Sequence, residues 1–143
     1  MRVTHSARFA KIVFTIAGIW GILIMTPLYF TFDAVGRAFP PPITHPDLYY
    51  GFIDVTLAWQ IAFLIIAANP TRYRTIMLAG VLEKFLYVTT IVTLAVQGQL
   101  QAGQAAAIAL PDGTLGLLFA VAFFRTPTTA DSHVSSEFLR AAR

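Results

Sequence analysis

The chain has 143 residues, 57% of them hydrophobic and 12% charged, with a mean hydropathy of +0.68, whereas a soluble domain carries about 25% charged residues. A chain this short cannot hide so much apolar surface in one globular core, so much of it must face lipid. The net charge of +3 does not point to nucleic acid, because the basic residues gather at helix ends rather than in a stripe.

There are no cysteines, which removes disulfides, CxxC redox motifs, thiolate zinc sites and iron–sulfur clusters. His5, His45 and His133 all fall outside the apolar segments, so no pair of them can hold a haem between membrane helices. No metal site and no cofactor is expected.

A bilayer core of about 30 Å needs roughly 20 apolar residues of helix. Residues 12–32 meet this without a charge. Residues 49–68 meet it with one acid, Asp54, and residues 75–96 with the adjacent pair Glu83 and Lys84. A fourth span reaches the required length over 104–124 only by placing Pro111, Asp112 and Gly113 inside it. A kink at Pro111 follows from the missing N–H; the alternative is a re-entrant stretch over 104–110. The fold class is thus all-α: a four-helix antiparallel transmembrane bundle (residues 1–125) followed by a polar tail (126–143). The first span has a basic start but is too long for a signal-peptide core and lacks a cleavage site, so it is read as retained.

Orientation follows from the basic residues. Arg2, Arg8, Lys11, Arg72, Arg74, Arg125, Arg140 and Arg143 fall on one side, and Arg37 alone on the other. The positive-inside rule then puts both termini in the cytoplasm and the chain in the inner (plasma) membrane as a multi-pass protein. Asn69-Pro70-Thr71 reads as a tight turn with Asn69 as N-cap, which makes the second and third helices an antiparallel hairpin. The first connection contains Phe39-Pro40-Pro41-Pro42, which favours polyproline II and reads either as an ordered cap over the outer mouth or as a stiff linker. Thr44 and Asp47 have capping-box spacing before the second helix. The tail is expected to be mobile, with room for a short helix near its end.

Ionisable groups inside a membrane cost at least ~2.5–3.5 kcal/mol each on insertion scales, so Asp54, Glu83, Lys84 and Asp112 need a reason. With Gln60, Glu83 and Lys84 lie roughly 16–18 Å below the outer face, near the midplane, and Asp54 and Asp112 at roughly 8 and 12 Å. Gln60 and Glu83 share a level on neighbouring helices, which suits an amide–carboxyl hydrogen bond. Lys84 can reach Asp112 or Asp54, and points about 100° away from Glu83. Gly80, Glu83, Tyr87 and Thr90 share one helix face; Tyr49, Thr56 and Gln60 share another. Small residues at Gly116 and Ala120 turn Asp112 toward protein, and Gly18 and Gly21 allow a close approach on the first helix. Asp54 is near enough to the surface to be simply solvated. Trp59 either lines a pocket beside Gln60 or packs in the core, and Tyr49, Tyr50 and Tyr73 read as interfacial anchors.

The stretches Tyr49-Tyr50-Gly51-Phe52-x-Asp54, Ala58-Trp59-Gln60-x-Ala62-Phe63-Leu64, Asn69-Pro70-x-Arg72-Tyr73-Arg74 and Val81-Leu82-Glu83-Lys84 resemble a group of small, uncharacterised bacterial four-span membrane proteins. The resemblance covers the second and third helices and implies no residue roles. In span number and size the chain is also distantly similar to DoxX-like proteins, by topology alone. It shares buried acids and a tryptophan with the EXPERA sterol-isomerase group but not that group's motif order.

Three readings follow. The polar cluster (Asp54, Trp59, Gln60, Glu83, Lys84, Tyr87, Asp112) binds a small apolar or amphipathic ligand between helices. Alternatively, it specifies packing with a membrane-protein partner or in a homo-oligomer, as in an accessory subunit. Less well supported is proton-coupled transport through Glu83 and Asp112. Enzymatic activity has the least support, since no nucleophile–base pair, metal spacing or phosphate loop is present and no catalytic residue can be named.

Overall fold

The computed structural model describes residues 2–39 and 41–128, with side chains from residue 7 onward. Among them all regular structure is helical: α1 (Arg2–Met25), α2 (Phe32–Ala38), α3 (Pro46–Ala68), α4 (Arg74–Val96) and α5 (Ala102–Arg125). Four segments, Ala7–Phe30, Pro46–Ala68, Arg74–Val96 and Ala102–Arg125, are long and apolar enough to cross a bilayer. By length and composition this is a multi-pass membrane protein. Its outer faces carry Ile16, Leu23, Val55, Leu82, Leu86 and Leu117, each more than half exposed, as suits contact with lipid.

Prolines set several boundaries. The α-helix of the first span stops at Met25 rather than running to Phe32, and tightens into a 3-10 turn over Thr26–Phe30. Pro27 has no N–H for the carbonyl of Leu23, so the regular ladder ends there. The capping box expected at Thr44 does not form; His45 is the N-cap of α3 and makes no side-chain cap bond. His45 precedes Pro46, which bars it from helical geometry, so the first helical residue must be Pro46 itself. Asn69 is not the N-cap expected: α4 starts at Arg74 with Tyr73 as its N-cap, and Asn69 ends α3, its Oδ1 accepting the Arg72 N–H at 3.1 Å and closing the turn between the two helices. In α5 the helix continues through Pro111 without a break, so 104–110 is helical rather than re-entrant.

Between α4 and α5, Gly98 adopts φ +71. The N–H of Gly98 bonds Ala95 O at 3.0 Å and that of Gln99 bonds Leu94 O at 2.9 Å. This Schellman closure satisfies the last carbonyls of α4 and reverses the chain in a few residues.

The helices pack as two close pairs, α1 with α3 and α4 with α5, joined mainly where α1 meets α5. α3 and α4 are antiparallel and joined by a tight turn, yet touch far less than either close pair. The expected α3–α4 hairpin is therefore splayed. The close pairs rest on glycines: a Cβ on Gly21 would collide with the Gln60 side chain, and one on Gly116 would lie 3.1 Å from Lys84 Cβ.

The core fills one half of the bundle. Phe14, Phe63 and Phe119 are fully buried, with Phe14 stacked on Phe119 at 4.2 Å and Phe63 edge-on to Phe119 at 4.9 Å. Ala10, Val13, Ala17, Ile66, Ala67, Met77 and Ala122 complete the cluster. It lies near the α3–α4 turn and the chain ends. There, Arg74 Nε donates to Phe123 O and Thr126 O at 3.2 and 2.8 Å. Its guanidinium sits 4.0 Å from the Phe123 ring centroid, so the carbonyl end of α5 is capped by a cation. Thr126 is buried here; the tail expected to be mobile lies outside the described residues from 129 onward, as does Pro40 of the proline run.

Candidate functional site

Because α3 and α4 splay, the other half of the bundle is hollow. A cavity of about 710 Å³ opens among α1, α3, α4 and α5, lined by Ala17, Trp20, Gly21 and Ile24 from α1, and by Tyr49, Phe52, Thr56 and Gln60 from α3. Glu83, Lys84 and Tyr87 of α4 face it with Ala107, Ile108, Pro111, Asp112 and Leu115 of α5. Leu28 and Val35 close it at the end remote from the α3–α4 turn, so the first connection folds over the cavity, with α2 as part of it, and is not a bare linker. Tyr49 pins this cover by donating to Leu28 O at 3.0 Å. Rings of Tyr29, Phe32, Tyr49 and Tyr50 stack beside it.

The polar groups converge near the middle of the helices. Lys84, 7% exposed, places Nζ 2.6 Å from Asp112 Oδ1, the pairing expected for its long stem. It also contacts Glu83, at 3.4 Å to Oε1 and 3.3 Å to Oε2, which the divergence of adjacent helical positions had argued against. Four methylenes let the tips meet although the Cβ atoms point apart. Glu83 Oε2 is shielded from solvent and, although near the ammonium, accepts no hydrogen bond. Directly below, the Phe63 ring centroid is 5.8 Å from Nζ. The cluster thus sits on top of the aromatic plug.

Gln60 and Glu83 line the cavity from different helices, and the hydrogen bond expected between them is not made. Gln60 Nε2 donates instead to Thr56 O at 3.0 Å in its own helix. Gly21 makes this fold-back feasible by leaving room for the amide against α1. Tyr87 lines the cavity and stacks with Phe52 at 6.4 Å.

Two of the residues singled out in the sequence lie elsewhere. Asp54 is exposed and accepts a hydrogen bond from the Tyr29 hydroxyl, tying the 3-10 turn to α3. Trp59 packs against Phe63, with ring centroids 5.9 Å apart, and is absent from the cavity wall. The tryptophan that faces the cavity is Trp20. The signal for it was present: Ala17, Gly21, Ile24 and Leu28 recur at helical spacing with Trp20 on the same face.

A second, almost wholly apolar groove of about 380 Å³ runs between α1 and α5, lined by Ile16, Ala17, Trp20, Leu110, Pro111, Thr114 and Leu115. It shares Ala17, Trp20, Pro111 and Leu115 with the cavity. The two spaces thus share part of one wall.

No protein-family model, curated protein or solved structure matches this chain. The site must therefore be interpreted from its own chemistry. Among the described residues no group of three or more His, Asp or Glu side chains is placed to hold a metal ion. Two carboxylates bridged by an ammonium form a charge cluster at the floor of a largely apolar chamber.

Proposed function

We propose that this chain is a binding protein for a small amphipathic molecule, held with its apolar body among α1, α3 and α5 and its polar head at Glu83, Lys84 and Asp112. The observation that carries this reading is the pairing of a ligand-sized chamber with a solvent-shielded carboxylate oxygen that has no hydrogen-bond donor. Ligand pockets typically span about 300–1,000 Å³ and combine apolar walls with a few convergent polar groups. Glu83 Oε2 has only the 3.3 Å ionic contact with Lys84 Nζ, so a donor carried by a ligand would add a charge-assisted hydrogen bond there. The α1–α5 groove supports access from the bilayer. Kinship with small bacterial four-span membrane proteins and residence in the inner membrane, with both termini cytoplasmic, belong to the same proposal and rest on the sequence motifs and the basic-residue asymmetry.

Binding is favoured over proton-coupled transport by the plug. Phe14, Phe63 and Phe119 fill the bundle below the cluster, and the buried polar residues among those described are Gln60, Lys84 and Thr126. That arrangement offers no polar path from the cavity to the far end.

Native mass spectrometry of the gently extracted protein tests the proposal, comparing wild type with the cavity-filling variants Thr56→Trp and Ala107→Phe. A discrete bound mass present in wild type and absent from both variants is expected. A bare wild-type protein, or one that carries a stoichiometric partner subunit unaffected by the substitutions, would replace this reading with that of an accessory subunit.

A further inference from the structure

Several of the cavity's side-chain donors are already used within the wall. Thr56 Oγ1 donates to Phe52 O at 2.7 Å, Gln60 Nε2 to Thr56 O at 3.0 Å and Tyr49 to Leu28 O at 3.0 Å. The Lys84 ammonium is engaged by both neighbouring carboxylates. Of the wall's side-chain donors, the Tyr87 hydroxyl, the Trp20 indole N–H and the second amide hydrogen of Gln60 make no hydrogen bond. Among the acceptors, Glu83 Oε2 accepts no hydrogen bond and has only the ionic contact with Lys84 Nζ at 3.3 Å, and the carbonyl of Ala107 cannot receive one from Pro111, four residues on.

The asymmetry of the wall lies in its charge. One ammonium faces two carboxylates, and the lining contains no other Lys or Arg, so the ionised cluster has an excess of one negative charge. Trp20, Phe52 and Tyr87 present aromatic rings to the same space, and ring faces attract cations while repelling anions. A carboxylic acid or phosphate head would meet the carboxylates with its own charge; an ammonium head would meet a carboxylate oxygen that accepts no hydrogen bond, and aromatic rings.

We infer that the cavity is selective for lipophilic ammonium compounds, an apolar chain or ring system ending in a protonated amine. This rests on the cavity being a ligand site at all, and it adds the charge of the head group. The ammonium binds beside Glu83 Oε2, on the cavity side of the Lys84–Asp112 pair, with its apolar body directed along α1 and α5 toward the groove. Lys84 keeps the two carboxylates together in the empty state.

Three probes of equal chain length separate the possibilities: decylammonium, decanol and decanesulfonate, titrated by calorimetry into the protein in lipid nanodiscs, with empty nanodiscs subtracted. Decylammonium is expected to bind saturably and at least about tenfold more tightly than decanesulfonate, a factor of ten being about 1.4 kcal/mol. Glu83→Gln should remove most of that preference while leaving decanol binding in place. Equal or tighter binding of decanesulfonate, or a preference unchanged by Glu83→Gln, would overturn the inference and leave the ligand cavity standing. Saturable binding of none of the three, with Thr56→Trp indistinguishable from wild type, would overturn both. The comparison of probes on the wild-type protein holds even where a variant fails to fold.

Discussion

Lys84 is held by its partners rather than by water. Its side chain is 9% exposed, and the ammonium bridges Asp112 and Glu83. Removing one member of a buried ion pair costs about 3–5 kcal/mol, because the charge left behind is uncompensated. Lys84→Ala leaves two carboxylates facing each other in an apolar chamber, so it should lower stability by about that amount in a denaturant titration in detergent. Glu83→Gln keeps shape and hydrogen-bonding capacity, and leaves the shorter Lys84–Asp112 contact intact, so its effect should stay within about 1 kcal/mol. Equal tolerance of both substitutions would remove the ion pair as a structural requirement. At this scale the sequence was legible where one side chain dominates. The reach of Lys84 to Asp112 followed from helical rise and stem length. The Glu83 contact did not, because Cβ directions describe where a side chain starts and not where a long one ends. Trp59 and Trp20 illustrate a different limit: both sit in apolar helix, and only the arrangement of neighbouring helices decides which of them faces a cavity.

Among the elements, the four spans were evident from length and hydropathy, and their ends were set by local chemistry. His45, barred from the helix by Pro46, and the 3-10 turn after Met25 are both consequences of a proline whose effect on its neighbours is local. Helix pairing was harder to read. A short link such as Asn69-Pro70-Thr71 makes α3 and α4 neighbours at the turn, but their separation farther along depends on what lies between them. Gly18 and Gly21 draw α3 onto α1, and Gly116 draws α4 onto α5, so the two pairs part and the chamber opens. The α4–α5 pair also depends on its reversal at Gly98. A Cβ there meets nothing within 4 Å, so the penalty of Gly98→Ala is conformational alone, about 1–2 kcal/mol for a left-handed non-glycine residue. That loss should appear as a lowered unfolding midpoint with ligand binding unchanged, since Gly98 is remote from the cavity wall. A loss well beyond this range would mean that the turn makes contacts other than its own backbone bonds.

For the molecule as a whole, the division into a solid half and a hollow half gives the bundle a direction. The aromatic plug, the Arg74 cap and the described chain ends share one end; the cavity and its α2-bearing cover share the other. On the orientation proposed from the Arg and Lys asymmetry, the plugged end faces the cytoplasm, so the chamber should occupy the outer half of the bilayer and receive its ligand from the outer leaflet or the space beyond. The absence of cysteine makes this direct to test with single substitutions. Gln99→Cys lies in the α4–α5 turn at the hollow end, and Thr71→Cys in the α3–α4 turn at the plugged end. In intact spheroplasts a membrane-impermeant maleimide should label Gln99→Cys, whereas Thr71→Cys should react only after the membrane is opened. The reverse pattern would turn the chamber toward the cytoplasm. The cation selectivity argued from Glu83 and Lys84 would survive that reversal, since it depends on the cavity wall alone, but the source of the ligand would change from the outer leaflet to the cell interior.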